Sequence, residues 1–531
     1  MNKKHLIVIL AAALFSFFLY SSLYFLLRPA AMDNSQWIFN TPDETANYFF
    51  IKTFFETGQM QSFEPLNAVS GTMSLVHPRS TTVIDNFITP ATFLGFILAM
   101  RMFAKIFSFW FIPFIIPLFS AFAILAFFYL IKETFNEKIA FWSSLALAVM
   151  PAFWYYSSRS LFNNLLFLDF TIIGFSLLVM FIRKKELMLL AISALFLGLA
   201  LTIRTTEAVW IIAILIILFA TLRQQLRWHH GLLLFFIIIL SFLPVLGYQY
   251  HMYGNPLAFG YAPKIAIKAQ ASIMQTVGNL ALPFGFSPIN ILRNIYHYFF
   301  KMFFWLSVPA FLGGLLLIFK TIKKKAKPEE KAYLLFAVII SVSLLLYYGS
   351  WWFFNNLMAK PLIGSSQVRY FLPMYVIGIP LVIYFWDEVL NLVKNKKIRL
   401  VAGAAIVLAT LGFSVNCTVF AGEESLTAIY STVRSYHDIN KKAVKTTEND
   451  SVIVSSYSDK VFFPSRKVIF YWQDPKYLAN ISKITAQTKI PVYFYSISDN
   501  ELEYIENNSS LKTELAEKIN DKEGLYLLKN K

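Results

Sequence analysis

Long apolar segments recur along this chain and restrict what it can fold into. Eleven of them are separated by polar loops, and several reach the roughly 20 residues that a helix needs to cross a bilayer. Inside a bilayer only helices and closed barrels satisfy their own backbone hydrogen bonds, and apolar runs of this length are typical of helices. We therefore predict a mainly α-helical, polytopic transmembrane protein with about 11–13 spans. The runs are residues 6–27, 106–131, 139–155, 161–182, 187–201, 208–222, 232–246, 302–319, 333–348, 371–385 and 400–419.

Composition and charge indicate an integral membrane protein and argue against nucleic-acid binding. Of the 531 residues, 57% are hydrophobic and 15% are charged, whereas soluble domains average about 45–50% and about 25%. The formal net charge is +17, but the basic residues cluster in loops such as 182–185, 320–331 and 394–397. Such clusters mark cytoplasmic loops, which places the intervening loops, including 248–298, outside. The first run is longer than the core of a signal peptide, so we expect an uncleaved span with a cytoplasmic N-terminus.

The C-terminal part of the chain has a different composition from the rest. Residues 421–531 are polar and alternate short β-type runs with helical stretches, which predicts a small α/β domain on the extracytoplasmic side. The expected organisation is a transmembrane domain, 1–420, with a first extracytoplasmic loop at 28–105, followed by this domain. Segment 87–102 is apolar enough to span, yet counting it would invert every later loop. It is therefore either a re-entrant or interfacial helix, or a sign that a neighbouring run is split.

The first outer loop carries titratable side chains in an otherwise apolar chain. Its segment "TPDETANYFF" sets Asp43 and Glu44 among aromatic residues, and His77 and Arg79 follow later in the loop. Loops longer than about 12–15 residues are usually functional or disordered, and the aromatic content of this one argues against disorder. Ionisable groups at a membrane are costly and usually mark a site. The loop is therefore the first place to expect function.

A series of motifs suggests a family. "TPDETANYFF" is followed by "VHPRSTTVIDNFITP" and, further along the chain, by "PAFWYYSSRSLFNN", "TIRTTE" and "SSQVRYFLP". In this order they resemble the GT-C superfamily of membrane glycosyltransferases, which includes protein O-mannosyltransferases and aminoarabinose transferases. The resemblance covers most of the chain before its C-terminal domain. It implies transfer of a sugar from a polyprenyl-phosphate carrier to an acceptor on the extracytoplasmic face of the membrane.

The resemblance also implies roles for individual residues. An acceptor hydroxyl is a poor nucleophile, so a carboxylate must take its proton as it attacks the anomeric carbon. Asp43 is the expected general base, Glu44 is the other acid of the catalytic pair, and backside attack would invert the anomeric configuration. The leaving group is a lipid phosphate, which cationic side chains near the outer face must hold. The candidates for donor phosphate or substrate binding are His77, Arg79, Arg159, Arg204 and Arg369.

Local structure offers an alternative for several of these residues. Asp43 could cap a helix that begins at Glu44, where the helix dipole favours an acid in the first turn. Arg204 and Glu207 are three residues apart and could form an ordinary helical ion pair. Arg369 could be an interfacial residue that extends its charge toward water. The sequence leaves these alternatives open.

The sequence does not favour a metal site. Several members of the family carry a second acidic residue in a later outer loop, where this chain has Asn163 and Asn164. Asp169 lies more than a helical turn further into the span. The single cysteine, Cys417, provides no thiolate cluster. We predict metal-independent transfer without a cofactor, with a divalent metal as the open alternative.

A polytopic transporter or flippase for a lipid-linked sugar is the competing interpretation. Such proteins place charged residues near mid-membrane in several spans. Here the predicted spans are nearly free of charge, with Asp169 as the main exception, and the polar groups gather on one side. We therefore expect a glycosyltransferase whose partners are a polyprenyl-phosphate sugar donor, membrane lipid and a glycan, lipid or protein acceptor. The sequence does not specify the sugar, the carrier or the acceptor.

Overall fold

The chain forms two compact units. The computed structural model describes residues 2–69, 74–258, 282, 284–353, 361–471 and 475–531, so much of the predicted outer loop 248–298 lies outside the described residues. Unit 1 consists of Met1–Leu23, Pro113–Val245 and Lys268–Ala428. Unit 2 consists of Tyr24–Ile112, Leu246–Ile267 and Ile429–Lys531.

Helices dominate the fold, and the described strands form two small sheets. The α-helices are α1 (Lys3–Asp33), α2 (Pro42–Thr57), α3 (Leu94–Phe107), α4 (Ile112–Thr134), α5 (Glu137–Val149), α6 (Pro151–Arg159), α7 (Asn163–Lys184), α8 (Leu187–Ile203), α9 (Ala208–Thr221), α10 (Trp228–Tyr253), α11 (Pro288–Ile295), α12 (Phe304–Ile322), α13 (Pro328–Tyr347), α14 (Ser366–Tyr370), α15 (Leu372–Leu392), α16 (Lys396–Val415), α17 (Leu426–Thr446), α18 (Asp459–Phe462), α19 (Pro475–Gln487) and α20 (Asp499–Asn508). The strands are β1 (Ser62–Phe63), β2 (Thr81–Ile84), β3 (Phe87–Pro90), β4 (Val452–Ser455), β5 (Lys467–Phe470), β6 (Val492–Ser496), β7 (Leu511–Lys518) and β8 (Gly524–Asn530).

The helices are those of an integral membrane protein. Within the described residues, eight are long and apolar enough to cross a bilayer, and two bent pairs raise the total to ten if each pair is one span. The pairs are α5 with α6, bent by 51°, and α8 with Thr205–Thr221, bent by 117°. The sequence counted eleven runs, with 187–201 and 208–222 as separate runs, and the structure places the 117° bend between these two. Apolar side chains such as Ile216 and Phe235 are exposed on these helices, where lipid can cover them.

The basic loops of unit 1 lie at one end of its helices. Arg183, near the end of α7, binds Glu133 near the end of α4 (Nε to Oε2, 3.1 Å). The same guanidinium lies 3.6 Å from Glu329 at the start of α13. Lys185 donates from Nζ to the carbonyl of Gln225, after α9, at 3.1 Å. These contacts match the alternation that placed the loops on one side of the membrane, and the cytoplasmic assignment of that side stays a prediction.

The first outer loop forms a small antiparallel sheet in unit 2. Its strand order is β1-β3-β2, with Thr82 opposite Thr89 in the register of β2 and β3. Segment 87–102, which the sequence left unresolved, begins as β3 and continues into α3. The 14 residues of α3 extend for about 21 Å, which is less than the hydrocarbon thickness of a bilayer.

The C-terminal residues form the α/β region that the sequence predicted. The strand order is β5-β4-β6-β8-β7, in which β5, β4 and β6 are parallel and β8 and β7 are antiparallel to their neighbours. The core beneath the sheet contains Val454, Ile469 and Phe494, together with Leu66 and Val76 from the first outer loop. The compact unit that contains this sheet therefore also contains the first loop.

Candidate functional site

Three arginines converge in unit 1 around two aromatic rings. The guanidinium carbons of Arg159 and Arg369 lie 5.4 and 4.9 Å from the centroid of the Phe162 ring. Those of Arg204 and Arg369 lie 5.3 and 5.5 Å from the centroid of the Tyr370 ring. These distances are typical of cation–π contacts. The structure thus brings together three arginines that the sequence placed in separate loops, and we call them the arginine cluster.

Each arginine of the cluster lies at or near the end of a helix. Arg159 is the last residue of α6, Arg204 follows α8 at the sharp bend, and Arg369 lies in the short helix α14. After Arg159 the chain turns at Ser160, whose φ is 69° and whose Oγ donates to the Pro113 carbonyl at 2.9 Å. The cluster therefore lies near the start of α7 and the end of α13, opposite to the ends that carry the basic loops.

Arg204 is the centre of a buried hydrogen-bond network. Its Nε donates to Glu207 Oε1 at 3.1 Å, Nη1 to Asn163 Oδ1 at 3.2 Å and Nη2 to Tyr348 Oη at 2.6 Å. Glu207 also accepts a hydrogen bond of 2.6 Å from Trp210 Nε1. The ion pair with Glu207 that the spacing suggested is therefore present, and it compensates part of the positive charge of Arg204.

Glu424 and Gly364 were not identified from the sequence. Arg159 Nη1 donates to Tyr155 Oη at 2.5 Å. Tyr155 Oη and Glu424 Oε2 both lie against Gly364, where an added Cβ would be 2.7 and 2.2 Å from them, so a side chain at this position would displace both. Glu424 follows the last apolar run in a polar segment without a motif, and only its position in the fold connects it to the cluster.

An apolar cavity of about 580 Å³ lies inside unit 1. It is formed by α4, α7, α9, α13 and α15. Trp210, which donates to Glu207 of the Arg204 network, lines it, and so do Glu133 and Arg183 from the opposite ends of the helices. The cavity therefore extends from the arginine cluster toward the basic loops. Its volume falls within the roughly 300–1,000 Å³ of ligand pockets.

In unit 2 the two adjacent acids have different environments. Thr41 is the N-cap residue of α2, and Glu44 completes a capping box because its Oε2 accepts from Thr41 N at 3.2 Å and from Thr41 Oγ1 at 2.9 Å. Glu44 is fully buried. Asp43 is half-buried, and its Oδ1 accepts a hydrogen bond of 2.6 Å from Ser80 Oγ. The alternative in which Asp43 caps the helix is therefore wrong.

His77 lies in the first loop of unit 2, where its ring has two oxygen neighbours. Its Nδ1 is 2.9 Å from the Pro78 carbonyl oxygen and 3.0 Å from Thr81 Oγ1. A carbonyl oxygen only accepts, so we assign the proton to Nδ1. Burial lowers the pKa of His77 below its usual value, which favours the neutral imidazole. Its binding of substrate stays a prediction.

Arg79 is bound to the C-terminal part of unit 2. Its Nε donates to Asp459 Oδ1 and its backbone N to Asp459 Oδ2, both at 2.8 Å. Its Nη2 also donates to the Tyr457 carbonyl at 2.7 Å. The guanidinium is thus directed at the C-terminal sheet, and the predicted binding of donor phosphate by Arg79 stays untested.

The described part of the chain contains no group of three or more His, Cys, Asp or Glu side chains arranged to hold a metal ion. Asn163, at the position where the resemblance suggested an acid, accepts a hydrogen bond from Arg204. Asp169 is buried in α7, where it accepts a hydrogen bond of 2.9 Å from Ser120 Oγ. Metal independence stays a prediction.

Comparison with known proteins identifies the fold. Residues 92–248 match the model of the dolichyl-phosphate-mannose-protein mannosyltransferase family. ArnT from Cupriavidus metallidurans, solved bound to undecaprenyl phosphate, is similar with a TM-score of 0.57 and 9% sequence identity, over 99% of this chain and 98% of ArnT. The chain has the GT-C fold. This confirms the resemblance and the mainly helical membrane architecture predicted from the sequence.

Other GT-C structures agree with this assignment. The archaeal oligosaccharyltransferase AglB from Archaeoglobus fulgidus, solved with an inhibitory peptide and a dolichol-phosphate, has a TM-score of 0.56 and 13% identity, over 96% of this chain and 71% of AglB. The oligosaccharyltransferase of the same organism tethered to an acceptor peptide gives 0.56 and 14%, with the same coverage of both chains. No curated protein matches the sequence.

Proposed function

We propose that this GT-C protein transfers a sugar from a polyprenyl-phosphate donor to an acceptor on the extracytoplasmic side of the membrane. The observation that carries the proposal is the arginine cluster, in which the guanidinium groups of Arg159, Arg204 and Arg369 are held around Phe162 and Tyr370. Guanidinium groups bind phosphate through charge-assisted hydrogen bonds. The cluster lies where helices end, which is where the phosphate of a lipid carrier has to stay while its tail enters the bilayer.

The apolar cavity supports a lipid-linked donor. It begins beside the Arg204 network at Trp210 and continues between the helices toward Glu133 and Arg183. A polyprenyl tail that extends from the cluster can bury its apolar surface there, with a gain of roughly 25 cal/mol per Å². A soluble nucleotide sugar would make no use of such a cavity.

Arg204 and Arg369 have different parts in donor binding. The charge of Arg204 is shared with Glu207, and its bond to Tyr348 positions a ring that stacks on Tyr370 at 4.5 Å. Arg204 therefore positions the stacked rings of Tyr348 and Tyr370. Arg369 is the least buried of the three and touches both rings, so we propose that it makes the main contact with the phosphate.

Asp43 is the proposed general base. Its carboxylate takes the proton of the acceptor hydroxyl, whose oxygen forms a bond to the anomeric carbon. The bond from that carbon to the phosphate oxygen breaks, and the polyprenyl phosphate leaves with the electron pair. Attack opposite to the leaving group inverts the anomeric configuration. The hydrogen bond from Ser80 orients the carboxylate for this step.

The proposed activity can be measured with the purified protein in lipid nanodiscs. Polyprenyl-phosphate mannose, the donor class named in the matched family, is the first of a panel of lipid-linked sugars to offer. Transfer releases free polyprenyl phosphate and yields a glycosylated acceptor, whereas a transporter or flippase leaves the sugar–phosphate bond intact. Movement of intact donor across a sealed vesicle without bond cleavage would contradict the transferase and support the transporter.

Donor binding tests the arginine cluster without knowledge of the sugar. We expect Arg369→Ala to weaken the binding of undecaprenyl phosphate by about 10–100-fold, because a charge-assisted contact contributes about 1.5–3 kcal/mol. Binding can be measured by native mass spectrometry. The control is Arg434→Ala, which removes an exposed arginine and should leave binding unchanged. Equal binding by the Arg369→Ala variant and the wild type would contradict the role of the cluster.

A further inference from the structure

The first outer loop and the C-terminal sheet are joined in unit 2 by a buried ion pair. Asp459 is completely buried, and its carboxylate binds the Arg79 side chain at Nε and Nη2, at 2.8 and 2.7 Å, and the Arg79 backbone N at 2.8 Å. The guanidinium also lies 5.2 and 4.8 Å from the ring centroids of Tyr457 and Phe470. The side chain of Arg79 is therefore held by an ion pair, by hydrogen bonds and by contacts with two aromatic rings.

The ion pair occupies the edge of the sheet where ligands usually bind. In open α/β sheets the ligand site lies beyond the carboxyl ends of the parallel strands. Here Tyr457 comes two residues after β4, Asp459 begins α18, and Phe470 is the last residue of β5. Arg79, a residue of the first loop, occupies this position. The place where a ligand would bind to such a sheet is therefore taken by another part of the same chain.

Other contacts hold the loop around Arg79 in place. Val76 and His77 form β-bridges with Ile469 of β5. Glu64 lies 3.1 Å from Lys467 at the start of β5. Val76 also belongs to the apolar core beneath the sheet. The loop therefore reaches Arg79 along a path that is anchored to β5.

The residue after Arg79 makes the contact with the proposed base. Ser80 has a left-handed backbone, with φ at 60°, and its Oγ donates to Asp43 Oδ1 at 2.6 Å. We propose that Asp459 is a positioning residue, which fixes Ser80 through Arg79 and thereby orients the carboxylate of Asp43. This inference rests on the proposed role of Asp43 as the general base. It assigns the C-terminal domain a part in the transfer step.

Substitution of Asp459 by Asn keeps the size of the side chain and removes the charge that binds Arg79. Misplacement of a catalytic group by about 1 Å costs up to about 100-fold in rate. We therefore expect Asp459→Asn to lower kcat by about 10–100-fold while KM for the donor and the binding of undecaprenyl phosphate stay unchanged. The control is Asp521→Asn, the same substitution in an exposed ion pair of the same domain, which should have no effect.

A double-mutant cycle separates positioning from general destabilisation. If Asp459 acts only through Asp43, adding Asp459→Asn to Asp43→Asn causes no further loss of kcat. Additive losses would show a separate structural effect and overturn the inference. Ser80→Ala leaves Asp459 and Arg79 in place and should lower kcat without changing donor binding, which tests the last link even if Asp459→Asn does not fold.

Hydrogen exchange tests the anchoring without an activity assay. We expect Asp459→Asn to speed amide exchange in residues 76–84 by at least about 10-fold, with β4, β6 and β8 unchanged. Unchanged exchange in this segment would contradict the anchoring. If Asp459→Asn keeps full turnover and Asp43→Asn loses it, the positioning role of Asp459 is wrong and the general base stands. Full turnover in Asp43→Asn overturns the general base, and the exchange data then still decide whether Asp459 holds the loop.

Discussion

Two neighbouring carboxylates at the start of α2 have opposite environments. Glu44 is buried and binds Thr41 in a capping box, so its negative charge serves the first turn of the helix. Asp43 is half-buried and bound to Ser80, a residue of another part of the loop. A general base has to reach the acceptor, and for that reason we propose Asp43 rather than Glu44 for this role. The capping box gives Glu44 a structural role, and its part in the predicted catalytic pair stays a prediction.

Replacement of each acid by its amide separates the two roles. Asp43→Asn cannot accept a proton, so we expect it to lower kcat by about 10²–10⁴-fold with donor binding intact. Glu44→Gln keeps an oxygen that can complete the capping box and should retain most of the activity. Transfer assays on both purified variants test this. Near wild-type turnover in Asp43→Asn would contradict the assignment of Asp43 as the general base. A loss of turnover in Glu44→Gln as large as that in Asp43→Asn would contradict it too.

At the scale of a secondary-structure element, helix α17 buries a histidine on its inner face. His437 is 1% exposed, and its two ring nitrogens have no hydrogen-bond partner among the described residues. Asn34 contacts the backbone carbonyl of His437 instead, at 3.1 Å from its Nδ2. Burial lowers the pKa of the imidazole from 6.5 to about 4, so the native protein holds it neutral.

The buried imidazole makes stability depend on pH. Between pH 6.5 and about 4 the unfolded chain binds a proton at His437 that the folded chain does not, so this contribution is complete above pH 6.5 and is lost as the pH falls. The full loss is about 3 kcal/mol. We expect the Tm of the purified protein to fall between pH 7 and pH 4.5, and to fall less in His437→Leu. The same pH dependence in both proteins would contradict this explanation.

At the scale of the whole molecule, one chain combines a lipid-facing helical framework with a loop and sheet that carry polar chemistry. In unit 1 the basic loops and the arginine cluster lie at opposite ends of α7 and α13. The proposed site for the lipid phosphate therefore lies at the end of the helices opposite to the basic loops.

Cysteine accessibility in intact cells determines the orientation. After replacement of the native Cys417 by serine, we introduce Lys325→Cys before α13 and Trp351→Cys after it, both at exposed positions of unit 1. An impermeant thiol reagent added outside should label the second and not the first, because basic loops stay in the cytoplasm. Ser510→Cys should also react if the C-terminal domain is extracytoplasmic. The reverse pattern would contradict the predicted topology.

The sequence by itself determined the class of protein and most of its elements. Hydrophobicity is a local property, so apolar runs reveal membrane helices without knowledge of their neighbours. Short β-type runs in residues 421–531 likewise indicated strands of the C-terminal sheet. The sequence also named the three arginines that the structure brings together, whereas the role of Asp43 stays a prediction. It also separated α8 from α9 at the polar segment "TIRTTE", where the structure bends by 117°.

Only the tertiary structure decided how the candidate residues are used. Arg159, Arg204 and Arg369 meet because helices that are distant in sequence end at the same place, and Arg79 finds its partner Asp459 at a separation of 380 residues. No local pattern encodes such contacts, since each side chain is compatible with many partners until the packing of the helices and strands leaves one within reach.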